Sequence, residues 1–171
     1  MKKFALDDVD IRILNAVQQH GQVSKSKLGE LVNLSSTPCL LRLTKLKNAG
    51  YITGFSGRIA LHKMFDLTSV FVTVSLASHR RSDFEIFEKY IQSVDEIVEC
   101  YATGGGNDYV LKFVTLSLQE FQQLIESMLD ADIGISRYYI YVTTKTIKRS
   151  ELSVAKLAKK KHDREKLPPS T

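Results

Sequence analysis

Cysteine is scarce in this chain: Cys39 and Cys100 are the only two among 171 residues. They fall in separate segments, so a disulfide framework has nothing to build on, and each reads as a small, partly buried thiol in a reducing compartment. Long apolar runs are missing too. The longest, "TSVFVTVSLA" at 68–77, is too short and too interrupted to span a bilayer. The opening "MKKFALDDVD" meets three aspartates before any apolar stretch develops, unlike a secretory leader, which sets the expectation of a cytoplasmic protein. Histidine numbers only four, His20, His62, His79 and His162, scattered with no Cys, His or carboxylate at ligand spacing. With no nucleophile motif either, no catalytic residue, metal or cofactor is expected, and each histidine reads as a surface residue.

What is present is an uneven distribution of charge. Residues 1–60 hold nine Lys and Arg against four Asp and Glu, residues 61–148 eight against twelve, and residues 149–171 seven against three. A basic head and tail around an acidic middle suggest that the ends meet a polyanion while the middle does something else.

Helical periodicity organises the head. "LDDVDIRILNAVQQHG" puts Val9, Ile13, Leu14 and Val17 on one stripe between an Asp7 cap and Gly21, and "SKSKLGELV" starts at Ser24 with Leu28, Leu31 and Val32 inward. After a turn at Asn33-Leu34, "SSTPCLLRLTKLKNAG" begins with small hydroxyl residues and a first-turn proline, repeats leucine at 40, 43 and 46, and closes at Gly50. Three short helices with a tight turn before the last form a helix-turn-helix. "YITGFSGRIAL" then reads as a hairpin about Phe55-Ser56-Gly57, a wing. The third helix has the build of a major-groove reader, small and polar where it enters and cationic further along. Ser35, Ser36, Thr37, Arg42 and Lys45 are the candidate DNA-reading residues, with Lys47 and Arg58 placed for phosphate.

After a hinge at 61–67 the period changes. Strand-like alternation at 70–76, helical spacing of Phe84, Phe87, Ile91 and Val94, and a second strand at 97–102 are followed by a glycine turn, "DYVLKFV", a helix with Phe121, Leu124, Ile125 and Met128 inward, and "GISRYYIYVTT". The order βαββαβ predicts an α+β chain: a winged helix-turn-helix (1–60) followed by a ferredoxin-like domain (68–148). Tyr139 and Tyr141 stand opposite Ile140 and Val142, so the sheet is apolar on both faces, which predicts a homodimer through this domain. Residues 149–171 read as a basic tail that starts helically and then runs solvated, with an auxiliary DNA contact as the other reading.

"LDDVDIRIL", "LSSTPCLLRLTKLKNAGYI" and "ECYATGGGNDYVLK", in that order across about residues 6–148, resemble the Lrp/AsnC family of feast/famine transcriptional regulators. The resemblance implies a DNA-binding module, a hinge and an effector-binding, oligomerising domain, dimers that assemble into tetramers or octamers, and a small-molecule effector, commonly an amino acid, held between subunits. Tyr101, Thr103, Gly105, Gly106 and Asp108 become the candidate effector residues: backbone N–H groups of the turn would take a carboxylate and Asp108 an ammonium group. Two departures stand out. Leu41 occupies a position often polar in the family, and Gly105-Gly106-Asn107-Asp108 replaces the usual Gly, Asp, aromatic, Asp. Three other readings are a siroheme-decarboxylase-like enzyme on the same plan, a ligand-free architectural DNA-binding protein, and a DNA-free metabolite sensor. At 97–103, "IVECYAT" stands where such a decarboxylase carries histidines.

Overall fold

Asp7 starts the first helix with a reciprocal cap: its carboxylate accepts the Asp10 N–H at 2.8 Å while the Asp10 carboxylate accepts the Asp7 N–H at 3.2 Å. The computed structural model describes residues 5–166 and resolves them into two compact units, one formed by residues up to Arg58 together with those from Arg149, the other by Ile59–Lys148. In the first unit α1 (Asp8–His20) ends at Gly21, α2 (Lys25–Val32) is capped by the Ser24 hydroxyl, and α3 (Ser36–Asn48) follows Asn33, which turns the chain in the left-handed region at φ 54°. Ile13, Leu28, Val32, Cys39 and Leu46 make its core.

The turn between α2 and α3 depends on Gly29. A Cβ there would meet the Leu34 carbonyl oxygen at 2.6 Å, and the Leu34 N–H donates to the Gly29 carbonyl at 2.9 Å. Gly29 therefore takes an inward position, and Leu31, expected inward, lies exposed. Gly29→Ala is expected to cost about 1–2 kcal/mol, since backbone rather than a pliable side chain must give way; urea unfolding of the variant at an unchanged midpoint would refute the role.

The expected wing hairpin does not form as a ladder. Residues 52–60 carry no strand, because Gly54 and Gly57 interrupt a run with no apolar alternation to pair across. The segment is anchored instead by Ile52 against the helical core and by Phe55, over which the Lys47 ammonium sits at 4.8 Å. The tail also departs from expectation: α6 (Val154–Glu165) is a regular helix belonging to the first unit, while Pro168-Pro169 lies outside the described residues.

In the second unit a single 3-10 turn, Leu61–Lys63, precedes β1 (Thr68–Leu76), α4 (Arg81–Ile91), β2 (Ile97–Ala102), β3 (Tyr109–Thr115), α5 (Leu118–Asp130) and β4 (Ile135–Val142). The strands pair antiparallel in the order β2-β3-β1-β4, the split βαβ topology that the periodicity predicts. Val70, Val72, Val74, Leu111 and Phe113 point to the helices and are sealed by Phe87, Phe121, Ile125 and Met128. Burial of each of these phenylalanines is worth about 2 kcal/mol. The other face carries cross-strand rows, Tyr141–Phe71–Lys112–Glu99 and Tyr139–Thr73–Val110–Tyr101, with Tyr139 and Tyr141 exposed.

Candidate functional site

The third helix presents small groups at its N-terminus. Ser35, Ser36, Thr37 and Pro38 are all exposed, and Ser35 takes the extended N-cap backbone without a capping bond from its hydroxyl. The inward stripe is Cys39, Leu43 and Leu46, one position away from the expected leucine repeat at its start, and Leu40 is half-buried. Burial pushes the Cys39 thiol up, whereas Cys100, expected to be partly buried, is exposed on the edge strand β2. Leu41 is 67% exposed, directed away from the core.

The candidate cations divide. Arg42 Nη1 donates to Asp7 Oδ2 at 2.6 Å and to Asp10 Oδ1 at 2.8 Å, tying α3 to the capping box of α1. The Asp10 side chain is almost fully buried, so the guanidinium is its counter-charge. The Asp10 N–H and the Arg42 guanidinium together hold the Asp7 carboxyl below its ordinary value. The expectation that Arg42 is free to read bases therefore meets a partner inside the fold. Lys47 lies over Phe55, and Arg58 pairs with Glu151 at 3.1 Å, both still solvent-exposed. Lys45 is exposed on the last turns of α3.

In the second unit a cavity of about 510 Å³ is lined by Ser75, Leu76, His79, Gly105, Gly106, Asp108, Ser136 and Arg137. Asp108 organises it. Its backbone N–H donates to the Val74 carbonyl at 2.9 Å, its carboxylate accepts the Leu76 N–H at 2.8 Å, and His79 Nε2 lies 3.1 Å from Oδ1. The Leu76 N–H first, and His79 after it, keep this carboxyl below the usual aspartate value, so it is anionic at neutral pH. Gly105 at φ +140° reaches a conformation that a side chain would resist.

Three of the five expected effector residues line this cavity: Gly105, Gly106 and Asp108. Thr103 instead closes the turn, its N–H donating to the Asp108 carbonyl at 2.8 Å and its hydroxyl to the Asn107 carbonyl at 2.6 Å. Tyr101 lies on the open sheet face, its hydroxyl donating to Glu99 at 3.1 Å. Tyr109 is core: burial and the Glu88 carboxylate at 2.7 Å push its phenol up. Sequence reasoning missed Ser75, His79, Ser136 and Arg137. His79, expected to be a bare surface residue, faces a carboxylate 29 positions away; the signal for it is its place just after β1, whose Val74 pairs with Tyr109, the residue that follows Asp108.

A helix-turn-helix unit on the same chain as a split βαβ unit with a polar cavity defines a ligand-responsive DNA-binding regulator. Comparison with known proteins agrees: residues 6–53 match the winged helix-turn-helix DNA-binding model and residues 69–152 the Lrp/AsnC ligand binding domain. The chain is 39% identical over 150 residues to the transcriptional regulatory protein DoeX of Halomonas elongata, covering 88% of this chain and 95% of that one. It is 33% identical over 152 residues to the leucine-responsive regulatory protein of Haemophilus influenzae, covering 89% and 92%. Among solved structures, an AsnC family transcriptional regulator from Agrobacterium tumefaciens superposes with TM-score 0.82 at 27% identity, covering 89% of this chain and 99% of that one. A Neisseria meningitidis transcriptional regulator in complex with L-Met gives 0.79 at 27%, covering 85% and 94%. The chain belongs to the Lrp/AsnC family of transcriptional regulators. No helix among its described residues is long and apolar enough to cross a membrane.

Proposed function

We propose that this regulator is a cytoplasmic, non-catalytic protein that reads duplex DNA with α3 and responds to a small polar amino acid or amino-acid derivative bound in the Asp108 cavity. The anionic Asp108 carboxylate carries the reading. It is fixed by a backbone N–H and by His79, lies beside two glycines whose backbone a ligand can approach closely, and shares its cavity with Arg137. A zwitterion suits this pairing of opposite charges, with ammonium to Asp108 and carboxylate to the glycine N–H groups or Arg137. Leu76 is the single aliphatic residue in the lining and its side chain is buried in the core, so a short polar side chain fits better than a branched apolar one. The relative crystallised with L-Met supports an amino-acid effector for the family's domain. A thermal-shift screen against amino acids and their polar derivatives tests this, because a ligand that binds only the folded state raises its midpoint; an unchanged midpoint with every compound would contradict it.

On DNA, the exposed Ser36 and Thr37 at the entering end of α3, with Lys45 beyond them, take the base-reading role, and Lys47 and Arg58 that of phosphate contacts. The protein acts as a homodimer, or a higher assembly of dimers, joined through the open sheet face. That face exposes Tyr139, Tyr141 and Phe71, and beneath them the buried Thr73 hydroxyl has no partner among the described residues. Sedimentation at micromolar concentration is expected to give at least a dimer, and a monomer would refute this.

A further inference from the structure

The match to the winged helix-turn-helix model ends at residue 53 and that to the ligand-binding domain at residue 152, so α6 lies beyond both matched segments. Yet it is built into the DNA-binding unit. The Gln18 side chain of α1 clamps its start from both sides, Nε2 donating to the Leu152 carbonyl at 2.7 Å and Oε1 accepting the Val154 N–H at 2.9 Å. Ser153 caps the first turn, and Val154 packs against the helical core.

The charge of this helix needs an explanation. Residues 154–166 hold Lys156, Lys159, Lys160, Lys161, Arg164 and Lys166 against Asp163 and Glu165. Like charges on consecutive turns repel, and such blocks usually stay unfolded. At about 100° per residue Val154 and Ala158, both half-buried, share the docked side, whereas Lys161 is exposed and pairs with Glu165 at 3.8 Å. Lys156, Lys159 and Lys160 fall on the opposite side, exposed, and none of the three is in an ion pair among the described residues. A membrane-surface helix would need a bulky apolar face toward the lipid, whereas here Val154 packs on the helical core and Leu157 alone is left as a bulky apolar side chain, half exposed.

We propose that α6 is a second DNA-contacting element, in which Lys156, Lys159 and Lys160 neutralise backbone phosphates of the duplex held by the same unit. This rests on the DNA-reading role of α3 and adds to it a sequence-independent grip. Phosphates relieve the self-repulsion of the lysines, and the Gln18 clamp presents the helix already formed, so little ordering is needed on binding.

The test uses the full chain and the triple variant Lys156→Gln, Lys159→Gln, Lys160→Gln, each titrated by fluorescence anisotropy onto random-sequence duplex and onto a selected operator at several salt concentrations. The expected result is a log–log salt dependence shallower by about 2–3, at roughly 0.9 for each phosphate no longer neutralised, with affinity falling by the same factor on both duplexes. The matching Lys→Arg triple variant should keep the wild-type slope. Unchanged slope and affinity in the Gln variant, with far-UV CD intact, would overturn the proposal. So would an Arg variant as impaired as the Gln one, which would make the lysines structural. A wild-type chain that binds neither duplex overturns the DNA reading itself, and this proposal with it.

Discussion

Replacing Asp10 by alanine is expected to lower the stability of the helix-turn-helix unit by about 3 kcal/mol and to weaken binding to every duplex alike. Two interactions disappear together. One is the capping-box bond to the Asp7 N–H, worth about 1 kcal/mol. The other is the charge-assisted bond from Arg42 at 2.8 Å, worth about 2 kcal/mol where one partner is buried. Arg42→Ala should act in the same direction for the same reason, leaving Asp10 buried without its counter-charge. The distinguishing readout is sequence preference. If Arg42 serves the fold, its removal lowers the unfolding midpoint and reduces affinity for operator and random duplex by one common factor. A stable Arg42→Ala variant that loses only discrimination would instead make it a base reader.

Asp108→Asn should abolish the effector's stabilisation while leaving unliganded DNA binding in place. The substitution keeps the size and an oxygen for the Leu76 N–H, but removes the negative charge that His79 faces and that the proposed ammonium contact requires. At a ligand concentration a hundredfold above its dissociation constant, wild type gains about 2.7 kcal/mol of apparent stability, and all of that shift should vanish. A variant that still shifts fully would place the ligand elsewhere. His79→Ala is the milder counterpart: the carboxylate keeps its backbone donor, so binding should weaken without disappearing.

Local signals were legible in the sequence and long-range ones were not. Asp7 as cap, Gly21 as stop and Ser24 as second cap follow from hydrogen-bonding capacity within a few residues, and the β1 alternation follows from one buried face. The partners of Arg42 lie 32 and 35 positions away, and His79 meets Asp108 across 29, so nothing local reveals either pair. The same holds for α6. By composition its lysines argue for a solvated tail, and what orders it, beside its own Ser153 cap, is packing on the helical core and a glutamine 136 positions earlier. The strand pairing expected at 52–60 departs in the opposite sense: the β-prone residues are there, but two glycines and no buried face leave no ladder to form.

Selection from a random duplex library with the full-length protein tests the central claim most directly. Two recognition helices related by the twofold of the proposed dimer predict an enriched imperfect palindrome whose half-sites lie about one helical turn apart, with Ser36 and Thr37 substitutions changing the recovered half-site. Recovery of a library with no enriched sequence, at a salt concentration where the protein binds, would contradict sequence-specific reading by α3.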